Sequence, residues 1–423
     1  ASAGEGPGEI TWGEMFAVSG LSEQDFFIVY ETDAVQKLAR LFRKTPVATW
    51  RAFLTERYLH ANADILPKAF DEARFDMFGR TLAGSQQQRE RWKRAVGATS
   101  GTLGEAIGQI YVQQHFPPEA KAQMLTLVNN LKEAYRRSIK ELDWMSPETK
   151  EAALRKLDTM VVKIGYPDKW RDYTTLEVKA GDPIGNRSRA IAWQWAYDVA
   201  RLSKPTDPGE WFINPQEVNA YYNPQFNEIV FPAAILQPPF FDPNADLAVN
   251  YGGIGGVIGH EIGHGFDDQG SKSDENGVER NWWTKEDRTR FVKRTVALAK
   301  QYDAFSPVEG LNVKGMQTLG ENIGDLGGLG IAYEAYKLAL GGKDAPVIDG
   351  FTGDQRFFLG WAQIWRVKQR DELMRLLVTS DVHSPAEFRV VGPTRNVAEW
   401  YGAFAVDDSG KNYLPPGERV QIW

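Results

Sequence analysis

The chain has 423 residues, 42% of them hydrophobic, 12% aromatic and 25% charged, which is far too apolar for a disordered chain and enough for two or three domains or one large lobed body. Lys and Arg number 49 against 56 Asp and Glu, a formal net charge of -7, and that weakly acidic balance argues against a nucleic-acid binder. The absence of cysteine excludes disulfides, Cys–zinc sites, iron–sulfur clusters and a thiol nucleophile, while leaving the redox compartment open.

The opening ASAGEGPGE reads as a flexible tail over residues 1–10, with no signal-peptide pattern. Helix-period apolar spacing then recurs over Asp33–Phe42, Ala48–Leu59, Arg89–Phe116 and Glu119–Leu142. Ser146-Pro147 supplies an N-cap and a first-turn proline for a further helix through Leu157. His60 and His115 lack partners at ligand spacing and read as structural. The turn-forming stretch Ser203–Gly209 marks a lobe boundary, separating a mostly helical region (11–205) from a second region (206–423). Beyond it, Glu217–Tyr222 and Asn227–Phe231 read as strands, and Pro232 suits an edge strand better than a central one. After Pro238-Pro239 come a Gly-rich helix, a polar loop with Asp274-Glu275-Asn276-Gly277, and two or three more helices. The most apolar stretch, Leu247–Ile262, is interrupted by Asn250, glycines, His260 and Glu261, so no membrane span is expected.

The strongest chemical signal is His260-Glu261-Ile262-Gly263-His264, an H-E-x-x-H motif. Residues four apart on a helix share a face, with Cβ atoms ~6 Å apart, so two imidazoles can grip one metal ion while the Glu addresses its bound water. Gly252, Gly256, Gly259 and Gly263 form one stripe, which predicts close approach of another backbone. Ile258 and Ile262 face the core, and Val257 projects towards the metal. A catalytic zinc needs a third protein ligand and one open position. Glu321 and Asp325, four apart on a predicted helix, offer the ligand and a carboxylate to hold the free N–H of a ligand His. Asp267 is a candidate for that second task at the other imidazole.

On five stretches the chain resembles the neprilysin-type zinc endopeptidases, in a bacterial, cysteine-free form. They are Asn219–Tyr222, Ile229–Phe241 (IVFPAAILQPPFF), Val257–Gly270 (VIGHEIGHGFDDQG), Glu321–Gly328 (ENIGDLGG) and Asp381–Arg389 (DVHSPAEFR). The resemblance implies a mainly α fold with a small β component: a thermolysin-like gluzincin catalytic lobe over 206–423, with 11–205 forming scaffold and part of a helical covering lobe. It implies one Zn2+ held by His260, His264 and Glu321, with Glu261 as general base and acid. It implies that Asn219 and the Ala220 backbone hold an extended oligopeptide, that His383 stabilises the oxyanion, and that Arg389 binds a substrate carbonyl. Ile235, Phe240, Val257 and Trp365 would line the pocket for the side chain after the scissile bond, favouring bulky hydrophobic residues. An extracytoplasmic location, periplasmic or secreted, is implied too.

Without the resemblance, Asn219 reads as a turn residue, His383 as a loop histidine, and Arg389, in a strand-like Phe388–Val391, as the partner of a structural carboxylate. The sequence departs from the animal members in having no disulfides, in ending Val420-Gln421-Ile422-Trp423 and in placing Gly263 where they have Thr. It is also shorter and begins near the family's middle, so either it is an excerpt of a longer chain or a separate N-terminal fragment of the same precursor is its expected partner. The alternatives are a catalytically silent peptide-binding module on this fold, and a hydrolase of paired carboxylates, which gives no reason for histidines flanking Glu261.

Overall fold

A computed structural model describes residues 12–423, so the expected tail lies outside the described residues. In chain order the helices begin with α1 (Trp12–Val18), α2 (Thr32–Lys44), α3 (Val47–Asn62) and α4 (Lys68–Arg74). Then come α5 (Arg91–Thr102), α6 (Gly104–His115), α7 (Pro118–Glu141) and α8 (Pro147–Thr159), strand β1 (Val161–Gly165) and α9 (Pro183–Arg201). Strands β2 (Tyr221–Asn223) and β3 (Glu228–Pro232) precede α10 (Leu247–Asn250) and α11 (Gly256–His264). The remainder is helical: α12 (Lys285–Asp303), α13 (Leu319–Leu340), α14 (Gly353–Ile364), α15 (Asp371–Ser380), α16 (Ala386–Thr394) and α17 (Ala398–Phe404). The C-terminal part therefore holds more helices after the polar loop than the two or three expected.

Contacts divide the chain into two compact units. One holds α1–α4 and α9, from residues up to Thr81, Ser85–Gln88 and Asp172–Asp207. In it Arg187 of α9 grips Asp64 through two 2.9 Å bonds and donates to the Ala61 carbonyl at 2.6 Å. The helix predicted over Asp33–Phe42 is present as α2, but its apolar Leu38, Leu41 and Phe42 stay exposed and none of its residues is buried.

The other unit spans Leu82–Gly84, Arg89–Arg171 and Pro208–Trp423. The chain thus passes between units inside the Ser203–Gly209 stretch, while residues 89–171 pack with the C-terminal part. Helix α7 is this unit's central post: Met124, Leu127, Val128, Leu131, Ala134, Tyr135 and Ile139 bury one helical face. Ser146 caps α8 as predicted, its hydroxyl accepting from the Thr149 amide.

The sheet corrects one expectation. Its order is β1-β3-β2, with β1 parallel and β2 antiparallel to β3, so the strand ending at Pro232 is central, not an edge. Pro232 is tolerated because it is the strand's last residue, opposite Gly165 of β1, where a missing N–H breaks little of the ladder. The edges are β1 and β2. Phe388–Val391 is likewise not a strand but part of α16: burial of Phe388, Arg389, Gly392 and Pro393 follows helical spacing, and the β-branched Val390-Val391 pair was misleading. At the C-terminal end Trp423 packs among Trp144, Phe266, Trp283 and Phe291, with ring centroids 5.5–6.5 Å apart. Trp144 also donates to the Ile422 carbonyl at 3.2 Å.

Candidate active site

Two glycine-lined helices build the site. A π-helical segment, Tyr251–Gly255, leads into α11. A Cβ at Gly252 would fall 1.9 Å from the Phe357 carbonyl oxygen, and one at Gly259 would fall 2.6 Å from that of Gly328, so the predicted backbone approach occurs at both. At Gly256 the neighbour is instead the Trp361 indole. At Gly263 it is the Tyr135 hydroxyl, which donates to the Gly259 carbonyl at 2.8 Å; that contact gives a packing reason for glycine there. Across the crossing, Gly324 of α13 leaves room for the His260 ring, whose Nδ1 would sit 2.8 Å from a Cβ.

This close approach brings Glu321 from α13 to the histidines of α11. Donor atoms of His260, His264 and Glu321 all lie within 4.8 Å of one another. Glu321 Oε2 is 3.2 Å from His260 Nε2 and 3.7 Å from His264 Nε2. The opposite ring nitrogens are engaged elsewhere: His260 Nδ1 lies 2.9 Å from Asp325 and His264 Nδ1 2.7 Å from Asp267. Each carboxylate favours an Nδ1–H tautomer, leaving Nε2 lone pairs facing the centre. Asp267 is itself held by the amides of Gln269 and Gly270 at 2.8 and 2.7 Å.

The donor set fits a zinc ion. Glu321 Oε2 is buried and has no hydrogen bond of acceptable geometry, although imidazole nitrogens stand close to it. An acceptor in that position is satisfied by a cation. Burial opposes ionisation of Glu321, but His260 and His383 outweigh it and hold the carboxyl well below the usual range. Glu261 behaves oppositely: its burial pushes the carboxyl up, only partly opposed by the flanking imidazoles.

Every sequence-predicted site residue except Asp325 lines one cavity of about 800 Å³. Asp325 is wholly buried beneath it. Ile235, Phe240, Val257 and Trp365 share its wall, and Asn219 and Ala220 form the approach to edge strand β2. Arg389 is only 8% exposed. Its Nε and Nη2 donate to Asp325 at 2.7 Å each, and its guanidinium stacks 4.0 Å over the Trp365 ring. Two of its five N–H donors are thus spent on the carboxylate that orients His260, the pairing that its sequence alone suggests. His383 is half-exposed, with Nε2 3.2 Å from Glu321 Oε2 and Nδ1 2.8 Å from Asp381.

Sequence reasoning gave no role to Asp381, nor to Gly324 and Gly328. Asp381 could have been found from the D-x-H spacing, and the glycines from their i, i+4 match to Gly259 and Gly263. His60 and His115 lie outside the cavity, packed on Phe78 and Tyr111. No helix among the described residues is long and apolar enough to cross a membrane.

Two models, both described as peptidase family M13, match residues 219–420 and 5–167. The chain is 35% identical over 413 residues to human endothelin-converting enzyme-like 1, covering 95% of this chain and 52% of that protein. It is 33% identical over 420 residues to human neprilysin, covering 96% and 55%. Among solved structures, Mycobacterium tuberculosis zinc metalloprotease Zmp1 in complex with an inhibitor is similar at 52% identity and a TM-score of 0.89, over 92% of this chain and 59% of that one. PepO from Lactobacillus rhamnosis matches at 35% identity and a TM-score of 0.82, over 88% and 58%. The chain spans about half the length of the curated relatives it matches.

Proposed function

The chain belongs to peptidase family M13, and on that premise we propose that it is the catalytic part of a zinc-dependent endopeptidase acting on oligopeptides, with preference for bulky hydrophobic residues after the scissile bond. The observation that carries the reading is the convergence of two imidazoles and an otherwise unsatisfied carboxylate oxygen, each imidazole backed by its own Asp. The kinship with a zinc metalloprotease supports zinc as the metal.

His260, His264 and Glu321 would hold one zinc ion, which when bound acidifies a coordinated water and polarises a carbonyl. Glu261 receives the proton from the attacking water and passes it to the leaving amine; a buried carboxyl of raised pKa suits both tasks. His383, whose pKa Glu321 and Asp381 raise against the opposing effect of burial, acts in its charged form, with Nδ1–H held by Asp381 and Nε2–H presented to the oxyanion of the tetrahedral intermediate. Asn219 and the Ala220 backbone align an extended peptide beside β2, as an added strand. The wall formed by Ile235, Phe240, Val257 and Trp365 takes the apolar side chain that follows the cleaved bond. Arg389 keeps Asp325 ionised and offers a donor not spent on that carboxylate to a substrate carbonyl.

The reading extends to an extracytoplasmic location, in keeping with the family. The decisive experiment couples metal analysis to a quenched-peptide assay. We expect one zinc per chain, with cleavage abolished by chelation and restored by zinc. A silent binding module would hold peptide without cutting it, and chelator-insensitive cleavage would exclude a metal mechanism.

A further inference from the structure

His383 stands on a loop between α15 and α16, and its side chain is 47% exposed. Such a group would ordinarily wander, yet it is held 3.2 Å from Glu321. The loop is fastened on both sides of it to the start of α13. On the far side, Ser384 Oγ donates to Asn322 Oδ1 at 2.7 Å. The Asn322 amide in turn donates to Thr318 Oγ1 at 2.8 Å. On the near side, Gln317 Nε2 donates to the Asp381 carbonyl at 2.7 Å. Only Val382 and His383 lie between the two fastenings.

The Ser384–Asn322–Thr318 chain is buried throughout, so water cannot readily replace its bonds. Both ends of the Asn322 side chain are engaged, which fixes its orientation. Asn322 directly follows Glu321. One helical turn therefore presents the carboxylate of the metal centre and also anchors the loop bearing the imidazole.

We propose that Ser384 and Asn322 are positioning residues that set the place of His383 over the metal centre, so that its Nε2–H meets the oxyanion of the tetrahedral state. The inference rests on the oxyanion role given to His383 above. Ser384 acts through His383, and its loss should matter only while His383 is there to be misplaced.

A double-mutant cycle on the zinc-loaded protein tests this, read by the affinity of a phosphonate peptide that mimics the tetrahedral state. Zinc affinity and thermal midpoint are measured alongside. Ser384→Ala is expected to weaken phosphonate binding about tenfold, within the range of coupled neighbours, while zinc binding stays essentially unchanged. Ser384→Thr, which keeps the hydroxyl, should recover most of that loss. His383→Ala should weaken binding about 100-fold, as for one oxyanion donor, and adding Ser384→Ala to it should cost nothing further. Multiplying losses in the double variant, or wild-type phosphonate affinity in Ser384→Ala, would overturn the proposal. Wild-type phosphonate affinity in His383→Ala would instead overturn the oxyanion reading itself, and this inference with it.

Discussion

The crossing of α11 and α13 makes a quantitative test. A Cβ at Gly328 would lie 2.5 Å from the His260 backbone nitrogen and 2.9 Å from the Gly256 carbonyl oxygen. Comfortable contact begins near 3.5 Å, so Gly328→Ala must part the helices locally by about 1 Å. The obstacle is backbone, which cannot rotate away, so the overpacking cost falls at about 2–3 kcal/mol. The better helix propensity of Ala returns up to ~1 kcal/mol, leaving a net loss of ~1–2 kcal/mol and a drop of roughly 1–3 °C in thermal midpoint. The same parting stretches the 2.9 Å His260–Asp325 contact and separates His260 from Glu321. Losing such support typically weakens metal binding ~10–100-fold. Gly330→Ala is the control: it lies on the same helix with nothing within 4 Å of its would-be Cβ. It should leave zinc affinity unchanged and stabilise by up to ~1 kcal/mol. Chelator competition and calorimetry measure both quantities. Equal behaviour of the two variants, or wild-type zinc affinity in Gly328→Ala, would refute the reasoning.

Other outcomes follow from the same geometry. Glu261→Gln should keep zinc but lose ~10²–10⁴ in turnover; near-normal cleavage would remove Glu261 from the proton-transfer role. Glu321→Val should lose the metal, and stoichiometric zinc surviving ordinary chelator strength would contradict its assignment as a ligand. Peptides with Leu or Phe after the scissile bond should be cut at least ~10-fold faster than those with Asp, and equal rates would count against the apolar wall. Asp287, wholly buried, accepts from the Ser146 amide and hydroxyl, Thr149 and Arg290. Burial opposes its charge, but these donors win and hold the carboxyl well below the usual range. A depressed folded pKa adds stability that is present above the unfolded value of ~4 and lost as pH falls below it. Asp287→Asn should therefore cost ~1–3 kcal/mol at pH 7, with the gap narrowing in acid; a pH-independent gap in denaturant midpoints would contradict the sign.

The candidate metal site was legible in the sequence because its parts are local. His260 and His264 are one turn apart on α11, as are Glu321 and Asp325 on α13, and helical periodicity alone fixes each pair. What brings the two pairs together was legible only in half: the glycines of α11 announced a close neighbour, and Gly324 and Gly328 share their four-residue spacing, but spacing alone does not say which glycines meet. The sheet was less legible for the same reason. Val161–Gly165 is a short apolar run in a helical neighbourhood, and its pairing with Glu228–Pro232 joins segments far apart in the chain. Pro232 made the central strand look like an edge, and nothing local marked β1 as its other neighbour. In α16 the error was of another kind, since the β-branched valines voted for strand and tertiary burial overrode them.

On the proposed reading, the brevity of β2 limits how the protein would read a ligand. Its ladder with β3 runs only from Tyr221 to Asn223, and Pro224, which has no N–H, follows at once. Alternate residues of a strand face its open side, so a visiting chain finds only a few backbone handholds there. Length and sequence beyond that short footprint would be nearly free to vary, and selectivity would fall to a single side chain.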